Sequence, residues 1–423
     1  MNPQMMEQYT AILREELVPA LGCTEPIAIA LASAKARDVL GGLPERLLVR
    51  CSGNLVKNVK CVVVPNTKNL IGIEASAVVG AVGGEVSKDM EVLSGVTEEQ
   101  VALSRRLLAE KICRVELLET PLNLHLQVRA ERGEDWAEVE IKNLHNHITR
   151  VEKNGKALYV AEESGDKYCG VLTDRGCLSV DGIIEYANEC APDLLRELFS
   201  PQINCNLAIA EEGLSGKYGV GIGLSIVTHD RSLSGRIKGY ASAASEARMS
   251  GCVLPVITNS GSGNQGIAAS VPVVVFARET GFPEERLLRA LAISNLLTIY
   301  QKTFIGRLSA FCGAVSASVS SGAAVTYLTG GTPEQIKMTL VNALANVSGI
   351  VCDGAKASCG AKIAASLEAA MTGHYLAMDN RFYQPHTGIL QSDVDGTITA
   401  VGRMATEGMK DTDRVILNIM LGK

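Results

Sequence analysis

Four cysteines stand where chemistry can be done. Cys23 lies at the head of a predicted helix, in Pro19-Ala20-Leu21-Gly22-Cys23-Thr24-Glu25-Pro26. The free N–H groups of a helix start stabilise a thiolate, so a reactive cysteine is expected at such a place. A small residue buried in a tight turn is the plainer alternative. Cys352 and Cys359 share a short glycine-containing segment, residues 351–360, between two predicted helices. Two cysteines on such a loop can converge on one metal while exposed N–H groups meet inorganic sulfide, with Lys356 and Lys362 near enough in sequence to offset charge. Cys312, in Phe311-Cys312-Gly313, is flanked by small residues that leave room for a bulky inorganic group. Spacing alone does not separate a site from a coincidence of buried cysteines, because the pair is not C-x-x-C.

Polar clusters could serve a substrate. Residues 258–266 read Thr-Asn-Ser-Gly-Ser-Gly-Asn-Gln-Gly and contain a literal G-x-G-x-x-G. A dinucleotide site is not expected, because Pro272 should interrupt the following helix and the early βαβ unit is missing. A backbone nest with side-chain donors from Asn259, Ser260, Ser262 and Asn264 suits a small carboxylate instead. An ordinary polar loop remains the alternative. Asn54 and Asn58, in the knot 52–58 after a strand, offer donors to an amino acid or simply make a strand-to-helix turn. His145 and His147 alternate as on a strand, where solvent-exposed imidazoles are the expectation.

The elements that must position these groups are legible from periodicity. Residues 5–40 read as two helices around the turn 21–24, with Thr24 as N-cap and Pro26 in the first turn. Strands are predicted at Leu48–Cys51, Cys113–Leu118, Leu122–Val128 and Ala137–Ile141. A capping box, Thr97-Glu98-Glu99-Gln100, opens a helix among them. From about Val180 onward helices dominate. A second capping box, Thr332-Pro333-Glu334-Gln335, opens a helix with the stripe Ile336, Leu340, Leu344 and Val347. The predicted fold is α+β. Residues 1–44 form helices packing on a helical catalytic domain, 179–423, with a mixed domain, 45–178, inserted between.

Composition narrows the class. The 423 residues exceed one ordinary domain, and 47% hydrophobic content with only 4% aromatics implies a core of small aliphatic side chains. The longest uncharged stretch, between Arg248 and Arg278, carries Pro255, Asn259, Asn264 and Gln265, which no lipid-facing helix would hold together. No membrane partner is expected. A net charge of -6 without a basic tract argues against nucleic acid. No secretory signal is visible, so the cytoplasm is expected, and there the twelve cysteines would stay reduced.

Together the 19–26 turn, the 52–58 segment, the 259–266 loop and Cys312, Cys352 and Cys359 resemble the L-cysteine desulfidase family, which is related to the alpha chain of iron–sulfur L-serine dehydratases. The resemblance spans about residues 10–415. It implies a [4Fe–4S] cluster held by Cys312, Cys352 and Cys359, with one iron lacking a protein ligand, and Cys23 as proton acceptor. It implies β-elimination from a small amino acid, L-cysteine ahead of L-serine. Separately, a homo-oligomer, taken as a dimer, is expected. The match at residues 144–148 is loose, and no role follows for His145 or His147. A pyridoxal-phosphate lyase is a weaker alternative, since no lysine stands out as a Schiff-base residue. A redox sensor or metal store would need neither the polar loop nor Cys23.

Overall fold

The computed structural model describes residues 1–161 and 173–423; the end of the expected mixed segment, at 162–172, lies outside the described residues. The chain opens with helix α1 (Pro3–Glu16), a short strand β1 (Pro19–Leu21) and helix α2 (Thr24–Leu40). Cys23, rather than Thr24, is the N-cap of α2. Thr24 is the first helical residue and its hydroxyl reaches Glu25 Oε2 and Gly261 O, both at 3.1 Å. Strand β2 (Arg46–Cys51) leads into α3 (Gly53–Val59), α4 (Ile73–Gly83) and α5 (Glu98–Ala109). The Thr97–Gln100 capping box opens α5.

Five further strands come next: β3 (Cys113–Leu117), β4 (His125–Arg132), β5 (Asp135–Lys142), β6 (Ile148–Lys153) and β7 (Lys156–Val160). With β2 they form a six-stranded sheet in the order β3-β2-β4-β5-β6-β7, parallel only between β2 and β3. Alternation places Leu126, Val128, Ala130, Ala137, Val139 and Ile141 on one buried face, against Ala28, Ile29, Ala32 and Ala36 of α2. Each large aliphatic side chain buried there contributes roughly 1.5–3 kcal/mol. His145 and His147 lie in the turn between β5 and β6, not on a strand.

The rest of the described chain is nearly all helix: α6 (Val180–Glu189), α7 (Pro192–Gly213), α8 (Ile222–His229), α9 (Leu233–Met249), a short strand β8 (Pro255–Ile257), α10 (Gly263–Thr280), α11 (Glu284–Ile305), α12 (Gly313–Leu328), α13 (Pro333–Val347), α14 (Cys359–Met378), α15 (Val394–Arg403) and α16 (Lys410–Leu421). The Thr332–Gln335 box opens α13, and its stripe Ile336, Leu340, Leu344 and Val347 is buried. Among the described residues no helix is long and apolar enough to cross a membrane.

Two expectations need correction. Pro272 does not end α10, which runs through it to Thr280. Proline inside a helix costs roughly 3 kcal/mol or more. Residues 265–277 of α10 are all buried, so tertiary packing outweighs that cost. Nor do residues 1–44 pack as one unit. Tyr9, Ile12 and Leu13 of α1 join the core of the helical half, whereas α2, apolar around most of its circumference, is buried by the sheet and α4.

A small two-stranded pairing joins distant parts of the chain. Strand β1 pairs antiparallel with β8, Pro19 opposite Ile257 and Leu21 opposite Pro255. This ties the turn bearing Cys23 to the segment leading into α10. Gly22 completes the turn at φ 64°, where a side chain would lie 2.1 Å from Pro65 Cγ.

Candidate active site

A cavity of about 90 Å³ forms where the start of α2, the start of α10 and the loops preceding α12 and α14 meet. Cys23, Cys312, Cys352 and Cys359 all line it. It is far smaller than the roughly 300 Å³ and upward of sites for drug-sized ligands, so it suits a compact group.

The three later cysteines are brought together by backbone pairing. A β-bridge joins Phe311 to Val351. Cys312 N donates to Ile350 O at 3.1 Å and Cys352 N to Ala310 O at 2.6 Å, which zips the two loops side by side. Cys312 is the N-cap of α12, and Cys359 is the first residue of α14. Burial pushes the Cys312 thiol up to about 12, and the neighbouring Cys352 and Cys359 push the same way. Cys359 is raised too, chiefly by burial. Cysteine sulfurs are soft ligands, of the kind that iron, zinc or copper accept when the thiols are deprotonated. Among the described residues no three His, Cys, Asp or Glu side chains converge on a single metal ion. Three free thiols lining one cavity, two of them at helix starts, are a donor set that fits an iron–sulfur group.

Cys23 has a different partner. Its thiol donates to Glu25 Oε2 at 2.9 Å, and Glu25 Oε1 accepts from Asn58 Nδ2 at 3.0 Å. The thiolate expected at Cys23 is not what these surroundings favour. Burial first, then the charge of Glu25, raise the thiol well above its ordinary range, with the nearby Arg248 opposing. Burial alone would raise the Glu25 carboxyl, but the neighbouring His145 and the Cys23 hydrogen bond outweigh it and hold the carboxyl far below the usual range. The proton therefore rests on sulfur and the charge on the carboxylate.

Three cations complete the wall. Lys302 is buried and held down at about 8, chiefly by burial, with Cys352 and Cys312 pulling the other way. Arg307 donates to Glu16 Oε1 at 2.7 Å. Arg248, only 2% exposed, donates from Nη1 to the neutral Asn264 Oδ1 at 3.1 Å. Among the described residues nine buried side-chain nitrogens and oxygens lack a hydrogen-bond partner, and four of them belong to this cavity: Asn58 Oδ1, His145 Nε2, Arg248 Nε and Gln265 Oε1. Buried polar atoms are seldom left unpaired, so their concentration here marks a place prepared for a polar ligand.

Of the residues expected from sequence, Asn58, Ser262 and Asn264 line the cavity together with the four cysteines. Asn54 does not. It lies in the neighbouring groove with Asn123, one turn before Asn58 along the same face of α3. Asn259 and Ser260 also face away: Asn259 Nδ2 donates to Asn295 O and Oδ1, and Ser260 Oγ donates to Asn259 Oδ1. They brace the loop instead of offering donors. Lys356 and Lys362, expected to offset cluster charge, both pair with Asp353 yet still act on Cys359, and Lys362 on Cys312 as well; buried Lys302 adds a third cation on the cavity wall. His145, expected in solvent, is buried with Nε2 3.9 Å from Glu25 Oε1. Sequence reasoning missed Glu25, Arg248 and Lys302 as site residues. Glu25 alone carried a signal, as a charge two residues from Cys23 in the same turn.

Comparison with known proteins identifies the family. The family described as serine dehydratase alpha chain matches residues 87–418, which include Arg248, the 259–264 loop and the three clustered cysteines. The chain is also similar to a UPF0597 protein of Treponema denticola, 47% identical over 98% of either chain. It is 49% identical to a UPF0597 protein of Lachnoclostridium phytofermentans, over 99% of this chain and 100% of that one. A UPF0597 protein of Finegoldia magna is 46% identical over 99% and 100%. These full-length likenesses extend to the Cys23 turn, which precedes the family match.

Proposed function

Because the chain belongs to the serine dehydratase alpha chain family, we propose that it is an iron–sulfur lyase that eliminates sulfide from L-cysteine. The enamine left behind hydrolyses to pyruvate and ammonia. The observation that carries this reading is one small cavity lined both by a carboxylate-linked thiol, Cys23 with Glu25, and by three further thiols, two of them at helix starts.

Cys312, Cys352 and Cys359 would hold a [4Fe–4S] cluster, which when bound supplies a Lewis acid for the departing sulfur. The protein's own part is proton transfer and orientation. An α C–H is a weak acid, so its base must be positioned closely and matched in pKa. Cys23 becomes that base by passing its proton to Glu25 Oε2 as its sulfur takes the substrate's α-proton. Asn58 and Thr24 hold the carboxylate in place for this exchange. The uncapped start of α10, with Ser262 and Asn264, receives the substrate carboxylate. Walls that leave only about 90 Å³ exclude long side chains.

L-Serine, the substrate class in the matched family's description, is the second reading, and the same residues would serve it. Anaerobic turnover on the two amino acids decides between them. Sulfide and pyruvate from L-cysteine, with little pyruvate from L-serine, is the expected result. A Cys23→Ala variant with its iron intact should lose turnover by on the order of 10²–10⁴. Full activity in that variant would remove the assigned base.

A further inference from the structure

We infer that Arg248 anchors the substrate's α-carboxylate and so restricts this site to free amino acids. The inference rests on the amino-acid lyase reading above. Arg248 lies in the last turn of α9, buried and on the cavity wall. Among the described residues no carboxylate pairs with it; its one hydrogen bond goes to a neutral amide, and its Nε has no partner. A guanidinium taken out of water without an anion is costly, by several kcal/mol. The other two cations are already provided for. Arg307 is paired with Glu16, which also binds Arg175. Lys302 stands beside Cys312 and Cys352, the proposed cluster ligands, whose negative charge in a loaded site would balance it.

The surroundings of Arg248 match a carboxylate. A side chain at Gly263 would fall 2.3 Å from Arg248 Nε, so the guanidinium lies directly against the first residue of α10. That helix has 18 residues, and its N-cap, Ser262, makes no side-chain cap bond. A carboxylate placed here would meet a forked cation on one side and helix N–H groups on the other. Asn264 acts as a positioning residue. Its Oδ1 accepts from both Arg248 Nη1 and Ser245 Oγ at 3.1 Å, which fixes the guanidinium and leaves Nδ2 as a donor. A carboxylate held here leaves its α C–H in the same small cavity as Cys23.

Such a site discriminates against ligands whose carboxylate is blocked. L-Alanine, which lacks a leaving group, and L-alaninamide are suitable probes for calorimetry on anaerobically prepared holoenzyme. Wild type should bind L-alanine on the order of 100-fold more tightly than the amide. Arg248→Met and Arg248→Gln should bind the two within about threefold of each other, while Arg248→Lys keeps part of the preference. Because each protein serves as its own reference, general damage does not mimic the result. If Arg248→Met retains the full preference while wild type consumes L-cysteine, the anchor is elsewhere and the lyase reading stands. If Arg248→Met loses iron and Arg248→Lys regains iron without the preference, Arg248 is a counter-charge to the cluster and the inference is overturned. If wild type shows no preference and consumes neither L-cysteine nor L-serine, the lyase reading and the anchor fall together.

Discussion

Replacing Glu25 by Gln separates charge from shape at the centre of the site. The carboxylate accepts from Cys23 Sγ, Thr24 Oγ1 and Asn58 Nδ2. Glutamine keeps one acceptor oxygen for Cys23 and Thr24. Its NH₂ would face Asn58, whose Oδ1 has no partner and can accept after a flip of the amide. The fold should therefore lose on the order of 1 kcal/mol or less. The electrostatic change is larger. A carboxylate 2.9 Å from the sulfur opposes a thiolate there by roughly 6 kcal/mol at an effective dielectric of about 20. Removing it should move the Cys23 titration to lower pH. Turnover should fall nonetheless, by on the order of 10²–10⁴, because the proton leaving sulfur has lost its acceptor. The assay is the pH dependence of alkylation at Cys23 in iron-free protein, followed by peptide mass with exposed Cys61 as internal reference, alongside turnover of reconstituted enzyme. A midpoint that stays in place or rises in Glu25→Gln would refute the coupling between thiol and carboxylate. So would unchanged turnover.

Asn58→Ala should lower turnover about tenfold or more by loosening Glu25, whereas Asn54→Ala, in the neighbouring groove, should stay within about threefold of wild type. Steady-state rates at saturating L-cysteine check both. Buried His374 provides a stability test away from the chemistry. Burial holds its imidazole down at about 4, so the folded state stays neutral where the unfolded chain, near 6.5, already binds a proton. The stabilisation is present above about pH 6.5 and is lost as pH falls towards 4, roughly 3 kcal/mol in all. Urea midpoints at pH 7 and pH 5 should show this loss in wild type and a smaller one in His374→Gln. Equal losses in both would contradict it.

Much of the scaffold was legible because its signals are local. Both capping boxes are made by side chains three residues apart, and the strands announce themselves by alternation. The four cysteines could be picked out by their surroundings, three beside a glycine and Cys352 in the short loop that follows a helix. Their convergence could not. Thr24 meets Gly261 across 237 residues only because β1 pairs with β8, and Cys312 meets Cys352 through a bridge between two loops. Arg248 was hidden for a related reason: nothing in a helix of Ala and Ser shows that its guanidinium lies unpaired against Gly263. Within the 258–266 loop, composition does not tell which amides turn outward. Asn259 is drawn inward by Asn295, some thirty-six positions later, while Asn264 stays on the cavity wall. The continuation of α10 through Pro272 is likewise decided by packing, not by the residue itself.

The central claim is that Cys312, Cys352 and Cys359 together hold one iron–sulfur cluster beside Cys23. Iron and acid-labile sulfide, measured after anaerobic purification of wild type, of each single Cys→Ala variant at these three positions and of Cys61→Ala, test it most directly. About four irons per chain are expected in wild type and in Cys61→Ala, with most of the iron gone from each of the other three. Iron retained in all three, or sulfide released from L-cysteine by a wild-type protein that holds no iron, would contradict it.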